Sequence, residues 1–384
     1  MLNAGDSPGG RRHLHGGDPA RDLERFGLEA RPVVDFSANL SPLGPPPIVA
    51  ERWPELLGAV EAYPSLEGSG LEAYYARRFG LDPRRVLAGN GATELIYLLP
   101  RVLGLRRAAV LEPAYHDYRR ACRAAGCEIV PLRLRPEDGF APPSDARWRE
   151  VLGRDLGGRG AVFLGQPNNP TGTLFDPDRL LHLAAAWPQV TFCVDESFIQ
   201  LTGDFPERSA VFAPGRAEPP PNLVVFHSLT KLYALAGLRL GALIGSPELV
   251  ARLRSVKEPW TVNALADRLA PELAFCRDPS GEDYEKSLRE LLRRERPKLE
   301  QALGRLPGLA VAAAPAGANF HLLRRPGGLG DLPERLLARG FCLRDCSNFP
   351  GLEGEGGYFR LAVRLPEENL ALLAALEACL PPAP

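Results

Sequence analysis

The sequence predicts an α/β protein with a large, mostly parallel sheet flanked by helices, followed by a smaller α/β unit at the C-terminal end. Three observations carry this. Short apolar runs alternate with segments of helical periodicity through the middle of the chain, the pattern of repeated strand–helix–strand crossovers. Polar clusters follow those apolar runs, where open α/β sheets bind ligands. From roughly residue 285 the character changes: a charged helix, "EKSLRELLRRERPKLEQALGRL", leads into short strands around 309–323 and 357–363.

The elements follow in order. "GATELIYLLPRVLG" (91–104) has apolar residues at helical spacing, and "AAVLEPAY" (108–115) is a buried strand ended by proline. "HDYRRACRAAG" (116–126) returns to helix, and "AVFLGQPNNPTG" (161–172) is a strand running into a turn. "DPDRLLHLAAAW" (176–187) opens with Asp176 as N-cap and Pro177 at the first helical position. "VTFCVDES" (190–197) and "NLVVFHS" (222–228) are two further strands, while 144–160 carries no pattern that assigns it. The expected organisation is an N-terminal arm over 1–45 packing with the small domain, a large domain over 46–280 and a small domain over 281–384. The first 12 residues are expected to be mobile, and "PLGPPP" and "AEPPPN" to be stiff joints.

Composition narrows the function. The 384 residues are 45% hydrophobic and 24% charged, ordinary for a soluble globular chain. A formal net charge of -1 provides no global field toward nucleic acid or anionic membrane, so an anionic ligand must be held locally. The N-terminus shows no apolar signal-peptide core, and no apolar run is long enough to span a bilayer. Seven Cys without a C-x-x-C pair fit reduced thiols in a cytoplasm, and neither they nor the six scattered His suggest a metal site.

Four segments carry chemistry. In "HSLTKLYALAGLRLG" (227–241), Lys231 and Arg239 stand eight residues apart in an otherwise apolar run. Alone, such cations read as snorkelling side chains. "GNGATE" (89–94) puts small residues at a helix start, where free N–H groups suit a phosphate; a plain N-cap by Thr93 is the alternative. "PNNPTG" is turn chemistry. Asp195 follows largely apolar residues at a strand's buried end, where a carboxylate needs a partner, a helix cap or an ion pair.

In order and spacing these segments together resemble the fold-type-I enzymes that use pyridoxal 5'-phosphate (PLP), over residues 13 to 380 or so. The resemblance implies that Lys231 in "SLTK" carries PLP covalently and that Arg239 clamps the cofactor phosphate. It implies hydroxyl donors from Ser228 and Thr230, and the helix start at Gly91, Ala92 and Thr93 beneath the same phosphate. Asp195 is then the partner of the pyridinium nitrogen, Asn169 that of the phenolic oxygen, and Tyr115 the aromatic on the ring face. Tyr63 in "YPSLEGSG" matches a tyrosine that reaches the phosphate of a neighbouring subunit, which implies a homodimer.

Within that class, "HLHGGD", "DFSANLSPLGPP", "DESFIQ", "RDCSNFPGL" and "YFRLAVR" are similar to the threonine-phosphate decarboxylases of cobalamin biosynthesis. Histidinol-phosphate aminotransferases are the broader neighbours and the alternative reading. The resemblance implies decarboxylation of L-threonine O-3-phosphate, with Arg360 on the substrate carboxylate, Asn39 orienting it, and Arg344 and His15 on its phosphate. A phosphate and a carboxylate cannot leave water without cationic or N–H partners. For Arg344 an exposed ion pair with Asp345 or another acid is the competing reading; Arg364 has a similar one and is left out of the site. Phe198 stands where many transaminases have tyrosine, Gln166 where Asn is common, and Ala236 where Pro is frequent. No dinucleotide or P-loop glycine motif follows a strand, and no DNA-binding helix pair precedes the domain.

Overall fold

The computed structural model describes residues 15–313, 317–354 and 356–380; the N-terminal stretch expected to be mobile lies outside the described residues. Its centre is a seven-stranded sheet. In spatial order the strands are Val86–Asn90, Leu240–Ile244, Leu223–Ser228, Val190–Asp195, Gly160–Gly165, Arg107–Glu112 and Glu128–Arg133. Every pairing from Leu223–Ser228 onward is parallel, and Leu240–Ile244 alone is antiparallel to both neighbours. The central strands are buried along nearly their whole length, the reason they read as continuous apolar runs rather than as alternation.

The reversed strand decides where Arg239 goes. The chain leaves the C-terminal end of Leu223–Ser228, makes the turn that carries Lys231, and re-enters the sheet at Leu240 from the same edge. The excursion covers residues 229–239, with Lys231 near its start and Arg239 at its end, so lysine and arginine return to one place.

Two apolar layers cover the sheet. One contains Tyr74, Tyr75, Trp148, Phe192 and Phe212. The other contains Leu95, Ile96, Tyr118, Phe163 and Phe226. The segment left unassigned from sequence supplies Trp148: a helix over Asp145–Arg149 widens over Glu150–Asp155 and buries that indole. Replacing a buried Trp by Ala removes about 3–5 kcal/mol.

The 20-residue helix Tyr284–Leu303, capped by the Asp283 carboxylate on Lys286 N–H (2.8 Å), runs from the large sheet toward a second sheet. That sheet is antiparallel, in the order Arg344–Asp345, Tyr358–Ala362, Phe320–Arg324, Ala310–Val311. The N-terminal segment joins it: Val34–Asp35 pairs in parallel with Phe341–Cys342, and Ala362 N–H donates to Phe36 O at 2.9 Å. All seven cysteines are buried free thiols. Among the described residues no helix is long and apolar enough to cross a membrane, and no metal-ligating cluster occurs.

Candidate active site

The C-terminal edge of the large sheet holds a cavity of about 180 Å³. Its lining includes Ala92, Thr93, Tyr115, Asn169, Asp195, Ser228, Thr230, Lys231 and Arg239, with Tyr118 and Phe198. Most of the residues selected from sequence for one ligand therefore meet there, from six separate strand ends.

Lys231 lies on a single helical turn, Leu229–Leu232, directly after the strand Leu223–Ser228. Its ammonium nitrogen sits 4.9 Å from the centroid of the Phe198 ring. Loss of hydration brings its pKa down to about 8; Asp195 opposes that, and Arg239 and Arg360 add to it. A lysine held there is partly neutral near physiological pH, the state a nucleophilic amine needs.

Asp195 ends its strand at 8% exposure and is bound on both oxygens. Tyr118 O–H donates to Oδ2 at 2.6 Å and Ser197 N–H to Oδ1 at 2.9 Å. Neither the ion pair nor the helix cap weighed from sequence is what holds it. The adjacent Glu196 turns the other way, to Ser209 O–H (2.6 Å) and Ala210 N–H (2.7 Å). Tyr118 was missed by sequence reasoning: it lies on the helix His116–Ala124, 77 residues from the carboxylate it meets, and no local pattern marks it.

The phosphate candidates also assemble. The helix Ala92–Leu103 starts at Gly91 with no side-chain cap, so its first N–H groups face outward unclaimed by a side chain. Thr93 is not the N-cap, since it lies inside the helix that Gly91 caps, and its hydroxyl lies 3.3 Å from Tyr115 O–H. Gly91 has φ +74, and a Cβ there would sit 2.5 Å from Arg239 Nη2. Gly241 is equally constrained: a Cβ would fall 2.2 Å from Ala92 N. Arg239 itself adopts φ +57 and donates from Nη1 to Ala236 O at 3.2 Å. Ser228 and Thr230 hydroxyls meet at 2.7 Å. Uncapped N–H groups, a guanidinium and two hydroxyls around a glycine make a cradle for a phosphate.

Asn169 links this cavity to the second sheet. Its Oδ1 accepts from Arg360 Nη1, and because a guanidinium only donates, the Asn169 amide nitrogen is left as the atom free to donate elsewhere. Arg360, 6% exposed, also donates to Ser37 O at 2.7 Å, and its Nε has no partner. Burial brings its pKa down to about 10. Among the described residues no carboxylate pairs with it, so a buried charge rests on neutral acceptors alone. Asn39, 5% exposed, has neither amide atom hydrogen-bonded, although Asn319 Nδ2 donates to its carbonyl at 3.2 Å. These unpartnered polar atoms are the mark of a site shaped for a ligand.

Arg344 stands directly opposite Arg360 in the antiparallel pair. It is buried rather than exposed, and it donates to Asp345 O and Asn348 Oδ1 instead of forming an ion pair. Two arginines opposed on one sheet repel each other by up to about 1 kcal/mol, an arrangement relieved by anions. Arg344 and His15 line a second, larger cavity of about 590 Å³, not the one that contains Lys231. His15 is half exposed, with Nε2 3.9 Å from Asp117. Arg364 pairs with Glu368 at 3.0 Å, the ion pair expected of it. Tyr63 lies outside both cavities, 82% exposed, beside Trp260 at 5.0 Å between ring centroids. Phe198 and Phe320 (5.3 Å, edge to face) form the apolar wall between Lys231 and Arg360, whose guanidinium lies 5.1 Å from the Phe320 ring.

The profile of the class I and II aminotransferases matches residues 31–376. The threonine-phosphate decarboxylase of Salmonella typhimurium is 38% identical over 94% of this chain and 95% of its own. A histidinol-phosphate aminotransferase of Desulfitobacterium hafniense is 32% identical over 93% of this chain and 94% of its own. Among solved structures, the L-threonine-O-3-phosphate decarboxylase from Porphyromonas gingivalis superposes with a TM-score of 0.75 at 27% identity, covering 90% of this chain and 99% of that one.

Proposed function

The chain belongs to the class I and II aminotransferase family, and from that premise we infer that it is a PLP-dependent carboxy-lyase. The reaction is decarboxylation of L-threonine O-3-phosphate to (R)-1-amino-2-propanol O-2-phosphate and CO2, a step of cobalamin biosynthesis in the cytoplasm. The observation that carries this is the convergence of Lys231, Asp195 and Arg239 on one cavity, in a chain whose relatives include threonine-phosphate decarboxylases.

The residues fit PLP. Arg239, Ser228, Thr230 and the helix start at Gly91, Ala92 and Thr93 would hold its phosphate, and Tyr63 of a second copy would add to them. Asp195, fixed by Tyr118 and Ser197, would keep a proton on the ring nitrogen. Asn169 would donate to the phenolic oxygen and Tyr115 would cover the ring face. When bound, PLP supplies an electron sink for the pair released as the bond from Cα to the carboxylate breaks.

The chain's own groups do the rest. Arg360 and Asn39 grip the departing carboxylate and fix its direction, which decides which bond breaks. Arg344 and His15 hold the substrate phosphate, which neutralises the opposed arginines. Phe198 leaves Lys231 without a hydrogen-bonding hydroxyl on that side, so its amine stays available to return a proton to Cα. Around Tyr63, the exposed apolar residues Leu57, Val60, Leu66, Val256 and Trp260 form a face of the kind a second copy covers, and a homodimer is proposed on that ground.

The test is purified PLP-loaded protein given L-threonine O-3-phosphate with no 2-oxo acid. Catalytic release of CO2 and of aminopropanol phosphate supports the reading. No CO2, but glutamate formed from 2-oxoglutarate with histidinol phosphate, overturns it in favour of an aminotransferase.

A further inference from the structure

Lys231 rests on a local structure that cannot hold itself. The turn Leu229–Leu232 is four residues long, and an isolated helix that short has no stability of its own. It is followed by Ala234 at φ +53, so the chain leaves the turn through a conformation unfavourable to a side chain. Its position must come from contacts outside the turn, and these come from two sides.

On one side, Ser41 N–H donates to the Lys231 carbonyl at 2.9 Å, across 190 residues of sequence. Ser41 begins a tight turn in which Leu43 N–H reaches Ser41 Oγ at 3.3 Å and Gly44 N–H reaches Ser41 O at 3.3 Å. The Tyr284 hydroxyl ties that turn shut, 2.7 Å from Ser41 Oγ and 2.6 Å from Gly44 O. On the other side, Tyr233, two residues after Lys231 and fully buried, points its hydroxyl into a polar cluster. It lies 3.1 Å from Glu285, 3.1 Å from Leu273 O and 2.9 Å from Tyr74 O–H. Glu285 is 2% exposed and also receives Arg78 (3.1 Å), Gln200 (3.1 Å) and Arg289 (3.5 Å). Two arginines and an amide fix that buried carboxylate in place.

Tyr284 and Glu285 are sequence neighbours in the first turn of the helix Tyr284–Leu303. We propose that this pair clamps the lysine turn from both sides, and that both are positioning residues for Lys231, a role that rests on Lys231 being the cofactor lysine. The same helix packs farther along against Ala310–Val311 and Pro366–Cys379, on the unit that carries Arg344 and Arg360. One rigid element thus sets the distance between the amine and the substrate's anion partners.

The groups facing the Lys231 amine are Asp195, Arg239 and Arg360, and His227, on the strand that leads into the lysine turn, is held neutral by burial. None touches Tyr284 or Glu285, so a change at the clamp reaches the amine only by moving it. Three variants separate the two sides: Tyr284→Phe, Ser41→Ala and Tyr233→Phe. In PLP-free protein, the acylation of Lys231 is followed by peptide mass spectrometry from neutral to alkaline pH. In PLP-loaded protein, kcat and KM are measured on L-threonine O-3-phosphate, with urea unfolding alongside.

Tyr284→Phe and Tyr233→Phe are expected to release the amine toward water, raising the Lys231 midpoint by about one pH unit, about a tenfold loss of neutral amine at neutral pH, below both midpoints. We expect kcat to fall about tenfold while KM stays within about twofold. Ser41→Ala, which keeps its N–H, is expected to show the same signs at smaller size. Midpoints and kcat at wild-type values with only unfolding stability reduced would overturn the clamp. Should Tyr284→Phe fail to fold, Tyr233→Phe decides from the other side. Borohydride fixation of wild-type protein separates the deeper failure: cofactor fixed on another lysine removes the reading on which the clamp rests.

Discussion

Gly91 gives the sharpest test of the phosphate cradle, because a single methyl group should do two separable things. Gly91→Ala forces alanine to φ +74, ψ 162, a region that essentially only glycine adopts, at a cost of about 1–3 kcal/mol of stability. The methyl would also stand 2.5 Å from Arg239 Nη2, so the guanidinium has to move. Gly104, at the other end of the same helix, has φ +61 and nothing within 4 Å of a Cβ. Gly104→Ala, in the ordinary left-handed region (φ +61, ψ 41), carries a backbone cost of about 1–2 kcal/mol alone and is the control for a helix-end alanine at positive φ. If Arg239 grips the cofactor phosphate, its displacement loses a charge-assisted hydrogen bond of about 1.5–3 kcal/mol, or about ten- to a hundredfold in PLP affinity. Urea unfolding of the PLP-free proteins should show a loss for both variants, the larger for Gly91→Ala. Equilibrium PLP titration should show weaker binding only for Gly91→Ala. Equal PLP affinity in both variants would refute the assignment of Arg239.

Other perturbations have equally definite outcomes. Arg360→Ala should lower kcat/KM on the phosphorylated substrate by about a hundredfold, as loss of a buried carboxylate partner does, while PLP stays bound; unchanged kinetics would remove Arg360 from the substrate site. Lys231 sits at about 8 against an ordinary 10.5, so above about pH 8 the folded state binds fewer protons than the unfolded one. Its contribution to the stability of PLP-free protein should therefore rise between those values and be lost below them. Unfolding of wild type against Lys231→Met across that window checks the sign, and a flat difference would refute the depressed pKa. Tyr63→Phe should weaken PLP retention if a second copy supplies that hydroxyl, and a mixed dimer with Lys231→Ala, assayed for cofactor retention, locates the effect in the opposite subunit.

What could be read in the sequence, and what could not, follows from how far each signal travels along the chain. Asp195, Ser228 and Asn169 were legible because a parallel sheet turns apolar runs into buried strands and delivers whatever follows each run to one edge. Lys231 and Arg239 were legible as a spacing, but the cause of that spacing, the reversed strand Leu240–Ile244, was not. The reversed strand is as apolar as its parallel neighbours, so burial hides its direction. Tyr118 escaped because nothing local says that a tyrosine on the helix His116–Ala124 will meet a carboxylate 77 residues on. Arg344 was ambiguous for a related reason: its burial depends on cross-strand pairing with Arg360 through an intervening loop. The contacts hidden most completely are Ser41 to Lys231 and Tyr284 to Ser41, which join three distant segments through one turn. A sequence pattern reports the faces of single elements, whereas a buried lysine on one helical turn is placed by other elements. The residues that line the cavity were therefore largely visible before the structure, and those that hold them in place became visible only with it.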